Sequence, residues 1–200
     1  MPPARPTPAP QQPRRRADAE RSVASILDAA VDAWAGDPEA SMAEIARRAG
    51  VVRATIYVHF PTRESLIDAV TRRAIAEAKT AIETAEPQRG DAAEALGRVI
   101  ASAWRVLGRY HGLVVMNSRL PHAELHARHR PVLELLLPLI ERGRRAGDFR
   151  SDVPATWHIS MLMALIHAAS GEVQAGRLPD DQAEPALIAT TLAAVGASSS

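Results

Sequence analysis

The chain has 200 residues, of which 46% are hydrophobic and 4% are aromatic, and its formal net charge is +1. This length suits one mid-sized domain, or a small and a larger domain that share a helix, and the apolar content is enough for a packed core. The absence of cysteine excludes disulfides, Cys-ligated zinc and thiol chemistry, and it fits a cytoplasmic protein. Neither a membrane-spanning segment nor a signal peptide is predicted.

Ala and Leu dominate the apolar residues and favour helices, whereas the aromatic residues that favour strands are scarce. Residues 1–13, mostly Pro, Ala and Gln, cannot form a core and are predicted to be a disordered tail. Beyond the tail, apolar residues recur at helical spacing, and no strand pattern is found. The predicted helices are Ala17–Ala35, Met42–Ala49, Arg53–His59, Thr62–Thr84, Asp91–Leu107, Gly112–Arg119, Pro131–Arg145, Ala155–Ala175 and Asp180–Val195, with a turn around His122–Arg128.

The segment Met42–Phe60 predicts two short helices joined by a tight turn. Ser41 is a good N-cap, and Glu44 follows at the spacing of a capping box. Gly50 tolerates the positive φ that the turn requires, and Ala46 is small enough for the two helices to touch. This pattern is typical of a helix-turn-helix, in which the second helix enters the major groove of DNA.

The segment from Ile26 to Val70 resembles the DNA-binding domain of the TetR (tetracycline-repressor-like) family. The most specific match is the run Thr-Ile-Tyr-Val-His-Phe-Pro, residues 55–61. The other matching elements are Ile26–Ala30, Glu44–Ala46, Ala49–Val51 and Thr62–Leu66. The resemblance implies an all-α fold of about nine helices, with an N-terminal three-helix helix-turn-helix domain and a C-terminal helical domain for ligand binding and dimerisation.

The resemblance also implies which residues contact DNA. Those expected to touch phosphates are Thr55, Tyr57, His59 and Arg63. Arg53 and Ala54 are expected to face bases, where Arg53 could bind O6 and N7 of guanine and Ala54 could touch a thymine methyl group or a sugar. Ser41 and Arg16 complete the predicted set. Arg14–Arg16 would be either a solvated flank or an arm that reaches phosphates or the minor groove.

Two features of this segment bear on how strongly it binds DNA. Many family members have Ser where this chain has Val52, so a possible helix cap and phosphate donor is missing. Residues 14–60 contain seven Arg and seven Asp or Glu residues, a net charge of zero. Because phosphate neutralisation drives most non-specific affinity, we expect weak binding to non-specific DNA.

The helix Ala155–Ala175 is apolar on two faces, whereas a surface helix of a monomer needs one apolar stripe. One stripe is expected to pack on the chain's own core and the other on a partner, which would give a two-fold four-helix interface together with the last helix. An entirely intrachain core is the alternative, and the pattern leaves open which stripe faces the partner. The candidate interface residues are Leu162, Ile166, Ala169, Ile188, Thr191, Leu192 and Val195.

Large or adaptable side chains in the C-terminal two-thirds are candidates for the lining of a ligand pocket, with ordinary core packing as the alternative for each. These candidates are Trp104, Met116, Leu120, His122, Trp157, Met161 and His167. His122, His126 and His129 have metal-ligand spacing, but Pro131 and the flanking charges favour a solvated surface, so no metal is predicted. No cofactor or enzymatic activity is predicted, because phosphate-loop and nucleophile motifs are absent.

The sequence therefore predicts a DNA-binding transcriptional regulator, namely a homodimeric repressor that binds a pseudo-palindromic double-stranded operator and is released by a small-molecule ligand. The predicted organisation is a tail (1–13), a DNA-binding domain (14–62) and a ligand-binding and dimerisation domain (63–200). Two alternatives remain: a TetR-like DNA-binding protein with a role in nucleoid organisation, division or replication, and a small-molecule-binding protein or enzyme whose helix-turn-helix is vestigial.

Overall fold

The computed structural model describes residues 12–117 and 121–197, with side chains from Arg16 onward except that of His122. This part of the chain is all-helical apart from one backbone bridge between Phe149 and Gly196. The helices are α1 (Gln12–Gly36), α2 (Met42–Arg48), α3 (Arg53–His59), α4 (Arg63–Thr84), α5 (Ala92–Leu107), a 3₁₀ turn (Gly108–Tyr110), α6 (His111–Asn117), α7 (His122–Ala146), α8 (Ala155–Gln174) and α9 (Asp180–Val195). No helix among the described residues is long and apolar enough to cross a membrane.

The predicted all-α fold is confirmed, and most differences concern helix ends. α1 begins at Gln12 rather than at Ala17, so the last two residues of the predicted tail are helical; the rest of the tail lies outside the described residues. An ion pair one helical turn apart, from Arg16 Nε to a carboxylate oxygen of Glu20 at 3.1 Å, supports this added turn. Gly147 ends α7 with φ of 84°, as predicted.

The prediction of a turn at His122–Arg128 is wrong, because α7 runs through this segment and through Pro131. The guanidinium of Arg128 pairs with Glu124 and with Asp68 of α4, each at 2.7 Å, so the first part of α7 is tied to a neighbouring helix. The apolar residues that α7 buries further on are Leu133, Leu136, Leu139 and Ile140. This packing offsets the backbone hydrogen bond that a proline removes from a helix.

Two apolar cores meet along α4. Leu66 and Val70 pack into the core formed by α1, α2 and α3, whereas Ile82 packs into the core of the C-terminal helices. The first core also takes in Tyr110 and Leu113, which come from the C-terminal part of the chain. α4 therefore contributes to both cores, and the predicted domain division before Arg63 stays a prediction.

The C-terminal helices hold the end of α1 by direct contact with its backbone. A Cβ atom at Gly112 of α6 would lie 2.2 Å from the carbonyl oxygen of Trp34, so this close approach of α6 to α1 requires glycine. Nearby, Nε2 of Gln174 in α8 donates a hydrogen bond of 3.1 Å to the carbonyl oxygen of Ala35. The position of α1 thus depends on α6 and α8.

We predict that Gly112→Ala destabilises the protein by about 1–3 kcal/mol, because the added methyl group overlaps the Trp34 carbonyl and must displace α6. Thermal unfolding followed by circular dichroism measures the effect. Gly97→Ala is the matched control, since a Cβ there makes an ordinary 3.7 Å contact with Ile188, and alanine favours a helix by up to about 1 kcal/mol over glycine. Equal unfolding temperatures for Gly112→Ala and the parent would contradict the contact.

Candidate nucleic-acid interface and internal cavity

The tight turn between α2 and α3 has the predicted geometry. Gly50 has φ of 68°, and the amide of Val51 donates to the carbonyl oxygen of Ala46 at 3.0 Å. Ala46 and Ile56 are buried where the two helices meet, and Ile45 is completely buried beside them. The short helices therefore pack closely, and the opposite side of α3 is left to the solvent.

Ser41 caps α2, but the predicted reciprocal capping box does not form. The Ser41 hydroxyl accepts a hydrogen bond of 3.2 Å from the amide of Glu44. The Glu44 carboxylate instead accepts bonds from Arg47 at 2.6 Å and Arg48 at 2.8 Å, since these lie one turn further along the helix and offer charged donors. These two arginines lower the pKa of Glu44 to about 2. Both cations of α2 are therefore paired within their own helix.

The residues of α3 that are expected to contact DNA lie on or next to its exposed side. Arg53 and Ala54 are exposed, and Tyr57 is 39% exposed. The Arg53 guanidinium lies 5.7 Å from the centre of the Tyr57 ring, a cation–π contact that positions both groups on one surface. Thr55 and His59 are half-buried at its border. The structure thus brings these five residues together.

Two exposed valines on this surface were not among the predicted DNA-contact residues. Val52 is 70% exposed and caps α3 without a side-chain hydrogen bond, and Val58 is 77% exposed. Apolar side chains of this kind suit contacts with thymine methyl groups in the major groove. The spacing from the inward-facing Ile56 would have revealed that Val58 faces outward.

Arg16 lies near the end of α3, beside a surface groove. The groove runs between α1 and α4 and is bordered by Arg16, His59 and Arg73. Arg16 keeps 85% of its side chain exposed while pairing with Glu20. The side chains of Arg14 and Arg15 lie outside the described part, so the predicted arm is represented by Arg16.

Arg63 faces the protein interior, which differs from the expectation of a free phosphate contact. Its guanidinium donates to the carbonyl oxygen of Ala40 at 2.5 Å and to that of Pro38, and it lies 5.4 Å from the centre of the Trp34 ring. These contacts fasten the loop between α1 and α2 to the start of α4. A phosphate contact would have to use the remaining N–H groups of Arg63, and it stays a prediction.

The C-terminal helices enclose an apolar cavity with an open volume of about 80 Å³. Its walls come from α4, α5, the 3₁₀ turn, α6, α7 and α8, and most of them are Ala, Val, Leu and Ile side chains. The polar residues of the lining are Thr71, Tyr110, Asn117, His129 and His167. This volume exceeds the roughly 10–15 Å³ that a single water needs, and apolar walls favour an organic ligand over water.

Most of the predicted pocket residues lie elsewhere, so that set needs correction. His167 lines the cavity. Trp104 is buried against the ring of His111, and Met116 borders a separate groove beside Arg63. Met161 is half-buried against the core outside the cavity lining, and Trp157 is 59% exposed. Leu120 and the side chain of His122 lie outside the described residues. Large size alone did not indicate which side chains face inward.

Three of the seven predicted dimer residues need correction, because they lie in the interior of the chain. Leu162, Thr191 and Val195 are almost completely buried in the chain's own core and are not available to a partner. The four remaining candidates are half-buried on the same core, namely Ile166, Ala169, Ile188 and Leu192, and their place in an interface stays a prediction. On the outer stripe of α8, Trp157, Ala164 and Ala168 are exposed, whereas Met161 and Leu165 are half-buried and pack against the core.

Within the described residues, no group of three or more His, Asp and Glu side chains is placed to hold a metal ion. His129, one of the three histidines considered at metal-ligand spacing, instead lines the cavity and bonds through Nδ1 to the carbonyl oxygen of Leu125 at 2.8 Å.

Residues 26–70 match the family model "Bacterial regulatory proteins, tetR family". The chain is 31% identical over 153 residues to the HTH-type transcriptional repressor LfrR of Mycolicibacterium smegmatis, an alignment that covers 74% of this chain and 77% of LfrR. The crystal structure of LfrR in complex with proflavine is similar, with a TM-score of 0.68 and 28% identity over 88% of this chain and 97% of that one.

The fold is also similar to that of the transcriptional regulator FadR of Bacillus subtilis in complex with stearoyl-CoA. The TM-score is 0.69, with 20% identity over 86% of this chain and 98% of that chain. At this identity the likeness concerns the fold alone.

We predict that Arg63→Ala destabilises the protein by about 2 kcal/mol, because it removes charge-assisted hydrogen bonds to two carbonyl groups and the contact with Trp34. Chemical denaturation would measure this. Arg72→Ala, an exposed position in the same helix, serves as the control and should change the stability by less than about 0.5 kcal/mol. If both variants unfold at the same denaturant concentration, Arg63 does not fasten the loop.

Proposed function

Because the chain belongs to the TetR family of bacterial regulatory proteins and is a DNA-binding transcriptional regulator, we propose that it acts as a homodimeric repressor that leaves its operator when a small molecule fills the internal cavity. The observation that carries the DNA-binding part is the exposed side of α3, where Arg53 stacks on Tyr57. The observation that supports the ligand part is the apolar cavity, whose walls continue into the helices that hold α1.

The proposed DNA contacts combine one strong base-reading group with apolar neighbours. Within segment 41–60, no carboxylate forms an ion pair with Arg53. The N–H groups of its guanidinium are therefore available to donate to O6 and N7 of a guanine. Ala54, Val52 and Val58 would contact thymine methyl groups or sugars. Tyr57 would donate its hydroxyl to a phosphate. The remaining proposed phosphate contacts are those of Thr55, His59, Ser41 and Arg16.

The route from the cavity to the DNA-binding helices runs through α6. Leu113, Val114 and Asn117 of α6 line the cavity, while Gly112 of the same short helix lies against the Trp34 carbonyl. Because Gly112 is in close contact with the backbone of Trp34, a ligand that moves α6 would also move the end of α1. Such a movement changes the distance between the two recognition helices of a dimer, and half-site spacing fixes that distance on DNA.

A chain of polar contacts provides a second connection. The ring of Tyr110 lines the cavity, and its hydroxyl donates to the Glu77 carboxylate at 2.9 Å. Glu77 also accepts from Arg73 at 3.0 Å, and Arg73 pairs with Asp28 of α1 at 2.7 Å. Burial and the bond to Glu77 raise the pKa of Tyr110 to about 12, so the phenol keeps its donor hydrogen across the physiological range. A ligand that displaces Tyr110 would disturb this link to α1.

The proposed dimer uses the outer stripe of α8 together with the exposed side of α9. Trp157 is 59% exposed, and Ala164 and Ala168 follow it on the same side of α8. On α9 the small exposed residues are Ala186, Ala189 and Ala193. An exposed tryptophan beside small residues suits helix pairing across a two-fold axis, where the ring fills the space that the alanines leave.

Two alternatives predict different experimental outcomes. A protein with a role in nucleoid organisation, division or replication would occupy many dispersed genomic sites, whereas a transcriptional repressor would occupy a few promoters. A protein with a vestigial helix-turn-helix would bind no operator at all. Mapping of genome-wide binding sites distinguishes the three functions, and the controlled genes would indicate the chemistry of the ligand.

We predict that Arg53→Ala weakens binding to cognate upstream intergenic DNA about tenfold or more, since a bidentate contact with guanine contributes about 1–3 kcal/mol. Tyr57→Phe should weaken it about twofold to tenfold, the range for one hydrogen bond. Mobility-shift titrations at moderate salt measure both effects. Arg89→Ala is the control, because Arg89 lies in the loop between α4 and α5 and pairs with Glu86. Parental affinity in both variants would show that the assignment of α3 residues is wrong.

We predict that Trp157→Arg raises the dissociation constant of the dimer by about a hundredfold, because a charged side chain replaces a large apolar anchor. Analytical ultracentrifugation measures the monomer–dimer equilibrium. The fold should be retained, since the side chain is mostly exposed. Trp157→Phe keeps an apolar ring at this position and should remain dimeric. A Trp157→Arg protein as dimeric as the parent would remove this stripe from the interface.

A further inference from the structure

The side chains around the internal cavity carry no formal charge. None of the described lining residues is Asp, Glu, Lys or Arg, and the lining is dominated by branched aliphatic groups. An ion that leaves water for such surroundings loses several kcal/mol of hydration energy and finds no opposite charge to offset the loss. The cavity is therefore unfavourable for a carboxylate, a phosphate or an ammonium group.

Most polar groups of the lining already have partners within the protein. Tyr110 donates its hydroxyl hydrogen to Glu77 at 2.9 Å. Nδ2 of Asn117 donates to Oγ1 of Thr71 at 3.1 Å, an interaction between two buried side chains. Nδ1 of His129 donates to a backbone carbonyl of its own helix at 2.8 Å. These contacts position the groups but leave little need for a ligand to satisfy them.

His167 differs from these residues in one of its two nitrogens, although the imidazole also interacts with the backbone of Val114. Its Nδ1 atom is buried and has no hydrogen-bond partner among the described residues, which is a costly arrangement. The ring lies edge-on to that of His129, with 6.1 Å between centroids. Burial is the main cause that lowers the pKa of both histidines below their usual value, so both rings are neutral at neutral pH. A neutral imidazole nitrogen donates or accepts according to its tautomer, and a hydroxyl group satisfies either state.

From the uncharged aliphatic walls and the unsatisfied Nδ1 of His167, we infer that the ligand is an uncharged, mainly aliphatic molecule with a hydroxyl group that binds His167. This inference rests on the proposed role of the cavity as the ligand site and adds the chemical class of the ligand. The aliphatic part fills the space between α4, α5 and α7, and the hydroxyl group lies at the α8 side. Filling the cavity also stabilises the fold, because an empty apolar void lacks packing contacts.

Three straight-chain probes that differ in one head group test the inference on the full-length protein. They are 1-octanol, octanoate and octylamine, and isothermal titration calorimetry at neutral pH gives their affinities. We expect 1-octanol to bind at least about tenfold more tightly than either charged probe and to raise the unfolding temperature. Equal or tighter binding of a charged probe, or no binding of 1-octanol, overturns the inference.

Variants of His167 test the hydrogen bond. His167→Leu removes the polar group and should weaken 1-octanol binding about fivefold, whereas His167→Gln retains a donor and an acceptor and should stay within about twofold of the parent. Circular dichroism verifies that each variant is folded, and the comparison of head groups on the parent protein needs no variant. Unchanged 1-octanol binding by a folded His167→Leu protein overturns the assigned contact.

A mobility-shift assay with cognate intergenic DNA separates this inference from the proposed function. If 1-octanol binds but does not release the DNA, the ligand class holds and the proposed regulatory role fails. If octanoate or octylamine binds preferentially and releases the DNA, the regulatory role holds and the ligand class fails. Ala103→Leu, which places a larger side chain in the cavity wall, should reduce both 1-octanol binding and release.

Discussion

The contact between α6 and the end of α1 is the constraint on which the molecule depends. At Gly112 the two helices approach so closely that the carbonyl oxygen of Trp34 occupies the place of a side chain. The same short helix contributes Leu113 to the core of the DNA-binding helices and also forms part of the cavity wall. A region so tightly packed has few intermediate arrangements, so in the proposed mechanism a change at the cavity would reach α1 through α6.

The end of α1 is held from the other side by the helix-turn-helix region. Arg63 connects the start of α4 with the carbonyl groups of the loop after α1, and its guanidinium stacks on the Trp34 ring. The backbone of Trp34 therefore faces α6, while its side chain faces Arg63. Trp34 is thus one of the points at which the DNA-binding helices contact the C-terminal helices, together with α4 and the bond from Gln174 to Ala35.

The sequence predicted the helix-turn-helix well, because its determinants are local. Gly50 and Ala46 act within a few residues of their place in the chain, and the caps at Ser41 and Thr62 likewise depend on neighbours three residues away. Most of the cavity lining and the outward-facing stripe of α8 were beyond prediction, since the direction in which a side chain such as Trp157 points depends on helices far away in sequence. The helix through Pro131 was unexpected for the same reason, because the packing of α7 on α4 outweighs the local preference of proline.

The pairing of Glu44 with Arg47 and Arg48 has a consequence for the behaviour of the protein on chromosomal DNA. A carboxylate with a pKa of about 2 is ionised at every pH inside a cell, so it competes with phosphates for these two cations permanently. Fewer counterions are then displaced from the duplex on binding, and affinity changes less with ionic strength than the number of arginines suggests. The regulator would spend little time sliding along unrelated sequence, and it would keep its operator occupied through osmotic shifts in the cell.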